Sequence, residues 1–95
     1  MLQDAKINTN ALKKINQVIK QNNKTTQIIA VTKTLSIKAV QSALENNIKI
    51  IGENRVVEAE KKFLQYQHRR KIQLHLIGHL QSNKAKKAVN IFDII

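Results

Sequence analysis

The chain has no proline, no cysteine and no tryptophan, only two glycines, and six acidic residues against 17 basic ones. Each shortage excludes something. Without cysteine there is no disulfide scaffold, no Cys-ligated zinc site and no thiol nucleophile, a usage that suits a reducing cytosol. Aromatic residues make up 3% of the chain, which argues against nucleic-acid binding by base stacking. No apolar stretch approaches the roughly 20 residues needed to span a bilayer. Met1-Leu2-Gln3-Asp4 lacks the apolar run of a signal peptide. The expectation is a cytoplasmic protein with no membrane partner. What is present is a hydrophobic fraction of 42% in 95 residues, enough for a core and too much for a disordered tail. That length allows one domain or a piece of one.

The hydrophobic pattern alternates between two periods. Ile7, Ala11, Ile15, Val18 and Ile19 recur at steps of three and four, which predicts a helix from about residue 7 to 21, broken by Asn22-Asn23-Lys24-Thr25. The run 27–32 is short and nearly continuously apolar, as in a strand buried on both faces. Ser36 is a good N-cap for a helix carrying Ile37, Val40, Ala43 and Leu44, closed by Asn46-Asn47. Residues 48–51 predict a second strand stopped at Gly52, and Asn54 can cap a helix carrying Val56, Val57, Ala59, Glu60 and Phe63. Residues 72–77 predict a third strand stopped at Gly78, 81–89 a short basic helix, and 91–95 a fourth strand. Strands alternating with helices in this way mean right-handed crossovers and a parallel α/β sheet. Both glycines then fall at strand C-terminal ends, the edge where α/β folds bind ligands. No glycine-rich nucleotide loop is found.

Few residues at that edge could carry chemistry. Lys33 follows the first apolar run, and a lysine whose stem lies in apolar surroundings has its neutral amine favoured, the form that makes Schiff bases. From position alone, the ordinary alternative is a lysine reaching from the strand end into water. Gly52-Glu53-Asn54 lies at the corresponding place after strand two, where Asn54 offers a donor and an acceptor, or simply caps a turn. His75-Leu76-Ile77-Gly78-His79 superficially resembles a zinc-binding HExxH, but it lacks the Glu and reads as strand and loop, so no metal is expected. His79 is a loop residue able to donate to a ligand. The basic side chains are spread out, +5 over residues 1–48 and +6 over 49–95, as an ordinary surface charge would be. A basic, non-specific nucleic-acid-binding module remains the alternative.

Taken in order, three segments are similar to one family. They are Ile29-Ala30-Val31-Thr32-Lys33-Thr34, Ile51-Gly52-Glu53-Asn54-Arg55-Val56 and His75-Leu76-Ile77-Gly78-His79-Leu80-Gln81-Ser82-Asn83-Lys84. With these signatures the chain resembles the YggS/PROSC-type pyridoxal-phosphate homeostasis proteins, whose fold is similar to the N-terminal barrel domain of alanine racemase. The resemblance implies a (β/α)₈ TIM-type barrel holding pyridoxal 5′-phosphate at its strand C-terminal ends. It implies Lys33 as the lysine of the internal aldimine, Asn54 near the cofactor ring, and Gly78 and His79 in the loop that shapes the pocket. It implies binding and buffering of the cofactor without catalytic turnover. A racemase would need a second acid/base on the opposite cofactor face, and the lone Tyr66 falls mid-helix.

Two departures accompany the resemblance. Leu35 and Ser36 stand where the family often has a second Lys and a Pro. A (β/α)₈ barrel takes about 250 residues, so residues 1–95 read as a single partial domain, the first half of the barrel in the order α-β-α-β-α-β-α-β. In the family the residues that grip the phosphate and pair with the pyridine nitrogen come from the second half. Weak cofactor binding, an open strand edge and self-association through the open half are therefore expected. A degraded gene product, a fragment, and a half that associates with another chain all stay open.

Overall fold

The computed structural model describes residues 2–22 and 25–95, so Asn23 and Lys24 of the expected break lie outside the described residues. Among the described residues four helices and three strands alternate: α1 (Thr9–Gln21), β1 (Ile29–Val31), α2 (Ile37–Glu45), β2 (Ile50–Glu53), α3 (Val56–Phe63), β3 (Gln73–Leu76) and α4 (Ala85–Ile91). Single 3₁₀ turns at Arg69–Lys71 and Ser82–Lys84 precede β3 and α4. The strands are parallel in the order β1-β2-β3, with Val31 opposite Gly52 and Gly52 opposite His75.

Local chemistry sets the boundaries. Asn8 Oδ1 accepts from the Ala11 amide at 3.1 Å and starts α1. Ser36 caps α2 as expected, its Oγ accepting from the Lys38 amide. That helix ends in a Schellman motif: the Ile48 amide bonds to the Ala43 carbonyl, the Asn47 amide to the Leu44 carbonyl, and Asn47 takes the left-handed conformation, φ 63°.

Strand alternation sorts the sheet into two unlike faces. Ile51, Glu53, Leu74 and Leu76 point to one face and pack with Val40 and Ala43 of α2, Val56, Ala59 and Phe63 of α3, and Ala88 and Phe92. On the other face Ile29, Val31 and Ile77 keep 43%, 49% and 46% of their surface exposed. The expectation that the first strand is buried on both faces is corrected. Helices cover only one side of it among the described residues. The uncovered face is the one that a closed barrel turns inward, so a mixed α/β unit with a three-stranded parallel sheet is consistent with part of such a barrel.

Two further boundaries differ from the sequence reading. Gly52 does not stop β2 but pairs within it, and the strand runs on to Glu53. The fourth strand expected at 91–95 reduces to one parallel bridge, His75 to Ile94. Ile91 is drawn into α4, where its carbonyl accepts from Arg69 Nη2 at 2.6 Å. Asp93 then spends its carboxylate on the Leu74 amide, at 2.8 Å, in place of a longer backbone ladder. Arg69 also pairs with that carboxylate at 3.1 Å, so this cation braces the chain end against β3.

Candidate functional site

Strand register assembles the site. Two residues beyond the matched positions Val31, Gly52 and His75 stand Lys33, Asn54 and Ile77, so all three reach the same C-terminal edge of the sheet. The Ile77 amide donates to the Glu53 carbonyl at 2.9 Å and carries the pairing past the end of β3. Gly78 then crosses directly over Asn54. A Cβ on Gly78 would stand 2.7 Å from the Asn54 Cβ and 3.0 Å from its carbonyl oxygen, closer than packed atoms come. Its φ is not positive, so space and not conformation requires glycine here.

Asn54 is not the cap of α3, contrary to the sequence expectation. Arg55 occupies the cap position in an extended conformation and makes no side-chain cap bond. Asn54 thereby keeps its carboxamide for other use, and its Oδ1 is buried without a hydrogen-bond partner. Buried acceptors are almost always paired, so this orphan, like the neighbouring Glu53 Oε1, has capacity for one more donor. A cavity of about 510 Å³ opens beside it, where Asn54, Arg55, Gly78, His79, Gln81 and Lys84 share the lining with the apolar Val56 and Val57. Arg55 and Lys84 give this lining a basic character, and His79 beside them is exposed. Asn54, Gly78 and His79 are thus brought together.

Lys33 lies at the same edge but outside that cavity, in the turn Thr32–Leu35 closed by the Leu35 amide on the Thr32 carbonyl at 3.0 Å. Its side chain is exposed, so the idea of an apolar sleeve around its stem is corrected: the strand before it is covered on one face only. Thr34, third in the turn, has φ 62°. A type II turn normally gives that place to glycine or asparagine, and a β-branched residue there costs on the order of 1–3 kcal/mol.

What holds this turn was missed in the sequence. Lys62 of α3 is buried, its side chain 2% exposed, and its ammonium sits 2.7 Å from Oε2 of Glu53, which is fully buried. The same Nζ donates to the carbonyls of Thr32 at 2.8 Å and Leu35 at 2.6 Å, so all three ammonium donors are used. The Thr32 hydroxyl donates to Glu53 Oε2, and the Thr34 amide to Glu58 Oε1 at 2.7 Å. The signal was present in two places. Glu53 alternates with the buried Ile51 and so faces the helices, and Lys62 falls beside Phe63, three residues after Ala59, on the inner side of α3.

Among the described residues no group of three or more His, Asp or Glu could hold a metal, and no helix is long and apolar enough to cross a membrane. His75 is the strand histidine expected, with Nε2 2.8 Å from Gln73 Oε1.

No protein-family model matches the chain. Curated proteins do. A pyridoxal phosphate homeostasis protein from Synechocystis is 39% identical over 69 residues, covering 73% of this chain and 32% of that protein. One from Buchnera aphidicola of Schizaphis graminum is 38% identical over 84 residues, covering 85% and 37%. Among solved structures, PipY of Synechococcus elongatus with PLP bound superposes with a TM-score of 0.73 at 37% identity, over 86% of this chain and 39% of PipY. PipY without PLP gives 0.67 at 36% identity, over 83% of this chain and 39% of PipY. The matched curated proteins are pyridoxal phosphate homeostasis proteins. Sequence and structure together support a YggS/PROSC-type protein, and the chain spans about a third of the length of the curated relatives it matches.

Proposed function

We propose that this chain binds pyridoxal 5′-phosphate at the C-terminal edge of its sheet and serves in homeostasis of that cofactor in the cytoplasm, as a binding protein and not an enzyme. The three strands are the opening part of a (β/α)₈ barrel in this reading, and the uncovered sheet face is barrel interior. The observation that carries it is a cavity lined by Asn54, Arg55, Gly78, His79 and Lys84, one strand across from Lys33, with the Asn54 Oδ1 buried and unpartnered. The cofactor supplies an aldehyde that an amine can attack with loss of water. Lys33 supplies the amine, so the cofactor is held as a lysine aldimine. Asn54 orients the ring through its free acceptor, Gly78 leaves room for close approach, and His79 donates from the rim. Tyr66 is no second acid/base: its hydroxyl donates to Gln41 at 2.6 Å, beside α2.

The diffuse positive charge does not favour a nucleic-acid module. Lys62 is buried, Arg69 braces the chain end, and Lys38 and Lys87 pair with Asp4 and Glu60. The test is chemical. Pyridoxal phosphate is added, the product reduced with borohydride, and the adduct mapped by mass spectrometry. Preferential labelling of Lys33 is expected; labelling spread evenly over the other lysines would refute the assignment.

A further inference from the structure

We propose that α3 is a splint for the turn that presents Lys33, with Lys62 as its central positioning residue and Glu53 and Glu58 as its supports. The proposal rests on the reading of Lys33 as the cofactor's amine. It starts from an oddity: a lysine that spends all three of its donors inside the protein, on the two end carbonyls of one four-residue turn and on a fully buried carboxylate. Lys62 closes the turn from within by bridging Thr32 and Leu35. Glu53 fixes the Thr32 hydroxyl, and Glu58 takes the Thr34 amide. The first segment of the chain adds a strap on the far side, where the Gln3 amide donates to the Thr34 carbonyl at 3.1 Å and the Ser36 amide to the Gln3 carbonyl at 2.7 Å.

The Lys33 side chain makes none of these contacts. The backbone around it is tied while its own side chain is exposed to solvent, as an amine must be to meet an aldehyde. An unconstrained turn would relax Thr34 from its left-handed conformation and swing the Lys33 Cα with it. A shift of about 1 Å at a reacting group is enough to cost on the order of a hundredfold in rate. Lys62 also links the two strand ends of the site, since Glu53 immediately precedes Asn54. One ammonium thus sets Lys33 and Asn54 relative to each other.

The test uses the double variant Glu53→Gln/Lys62→Met, which removes both charges together and leaves no lone buried ion. Pyridoxal phosphate is the probe, with three readouts: the share of borohydride-trapped label on Lys33, the induced circular dichroism of the bound chromophore, and amide exchange at Thr34 and Leu35. The expected result is a cooperative melt with the Lys33 share down about tenfold, the induced dichroism lost, and faster exchange at both amides. A folded double variant with unchanged labelling and dichroism overturns the proposal. Should the double variant lose its melt, Glu58→Ala decides, because it frees the Thr34 amide and leaves the ion pair intact. Unchanged Lys33 labelling and unchanged Thr34 exchange in Glu58→Ala overturn the proposal equally. If the parent chain labels all lysines alike, the Lys33 reading fails; slow Thr34 and Leu35 exchange, lost in the variants, would still establish the splint.

Discussion

The two glycines of this chain look alike in sequence, each at the end of an apolar run, yet they should respond in opposite ways to alanine. A Cβ at position 78 meets the Asn54 Cβ at 2.7 Å and the Asn54 backbone at 3.0 and 3.2 Å, atoms that cannot rotate away. Overpacking of this kind costs about 1–3 kcal/mol. The substitution also narrows the unfolded ensemble, and since φ at Gly78 is not positive it recovers about 0.4–1 kcal/mol. The net loss is then about 1–2 kcal/mol, and for a chain of this size about 4–8 °C of melting temperature follows each kcal/mol. A Cβ at position 52 meets only side-chain ends, Ile77 Cδ1 at 3.1 Å and Ile29 Cγ2 at 3.2 Å, on the uncovered face where both have space to move. There the entropic gain about cancels the contact. Thermal melts by circular dichroism give the comparison: Gly78→Ala falls by about 4–16 °C and Gly52→Ala stays within a few degrees of the parent. Equal melting temperatures for all three proteins would refute the close crossing of Gly78 over Asn54. A larger loss at position 52 would show that the exposed face is covered in solution.

Lys62→Met alone should abolish the cooperative melt, because it strands the Glu53 carboxylate in the interior at a cost of about 3–5 kcal/mol, a large part of a small domain's stability. Restoring the melt by adding Glu53→Gln is the check. The Asp4 carboxyl is held below its ordinary value of 3.8 by the Ser36 hydroxyl first and by Lys38 second. Its stabilising contribution is therefore complete above that value and lost as pH falls through the lower folded value. Acid unfolding of Asp4→Asn should lack this component below pH 3.8, and identical acid profiles would refute it. The chain should bind pyridoxal phosphate weakly, since a phosphate dianion wants several backbone amides as well as the scattered cations of the cavity rim; a titration showing tight binding would reveal a full cradle in these residues. Exposed Ile29, Val31, Ile77, Ile94 and Ile95 should drive self-association, and sedimentation as a well-behaved monomer of 10.9 kDa would contradict that.

The sequence carried the element order because each helix and strand announces itself within a few residues: Ser36 as a cap, Asn46-Asn47 as a stop, Ile50-Ile51 as an apolar strand pair. It misjudged what depends on distant partners. Whether residues 27–32 are buried on one face or two is decided by what covers the sheet, and an apolar run cannot state that. Whether 91–95 ladders as a strand is decided by Arg69 and Asp93, which are 24 residues apart. The site divides along the same line. Lys33, Asn54, Gly78 and His79 were singled out by three ordered segments that resemble one family, whereas position alone left Lys33 and Asn54 with ordinary readings. That Asn54 is not a cap, and keeps a free acceptor, follows from the single-residue offset that makes Arg55 the cap. Lys62 was overlooked, although its place beside Phe63 on the inner side of α3 could have found it. A lysine beside Lys61 in a helix that also carries Glu58 and Glu60 reads as solvated surface, and its burial becomes rational only when strand alternation turns Glu53 inward to meet it. The rule that isolated charges stay out of cores was sound; what it lacked was the pairing. Interior charge in an α/β unit is best sought where a strand-end acid and a helix-borne lysine share the covered face, since the parallel register brings strand ends and the following helix together before any tertiary detail is known.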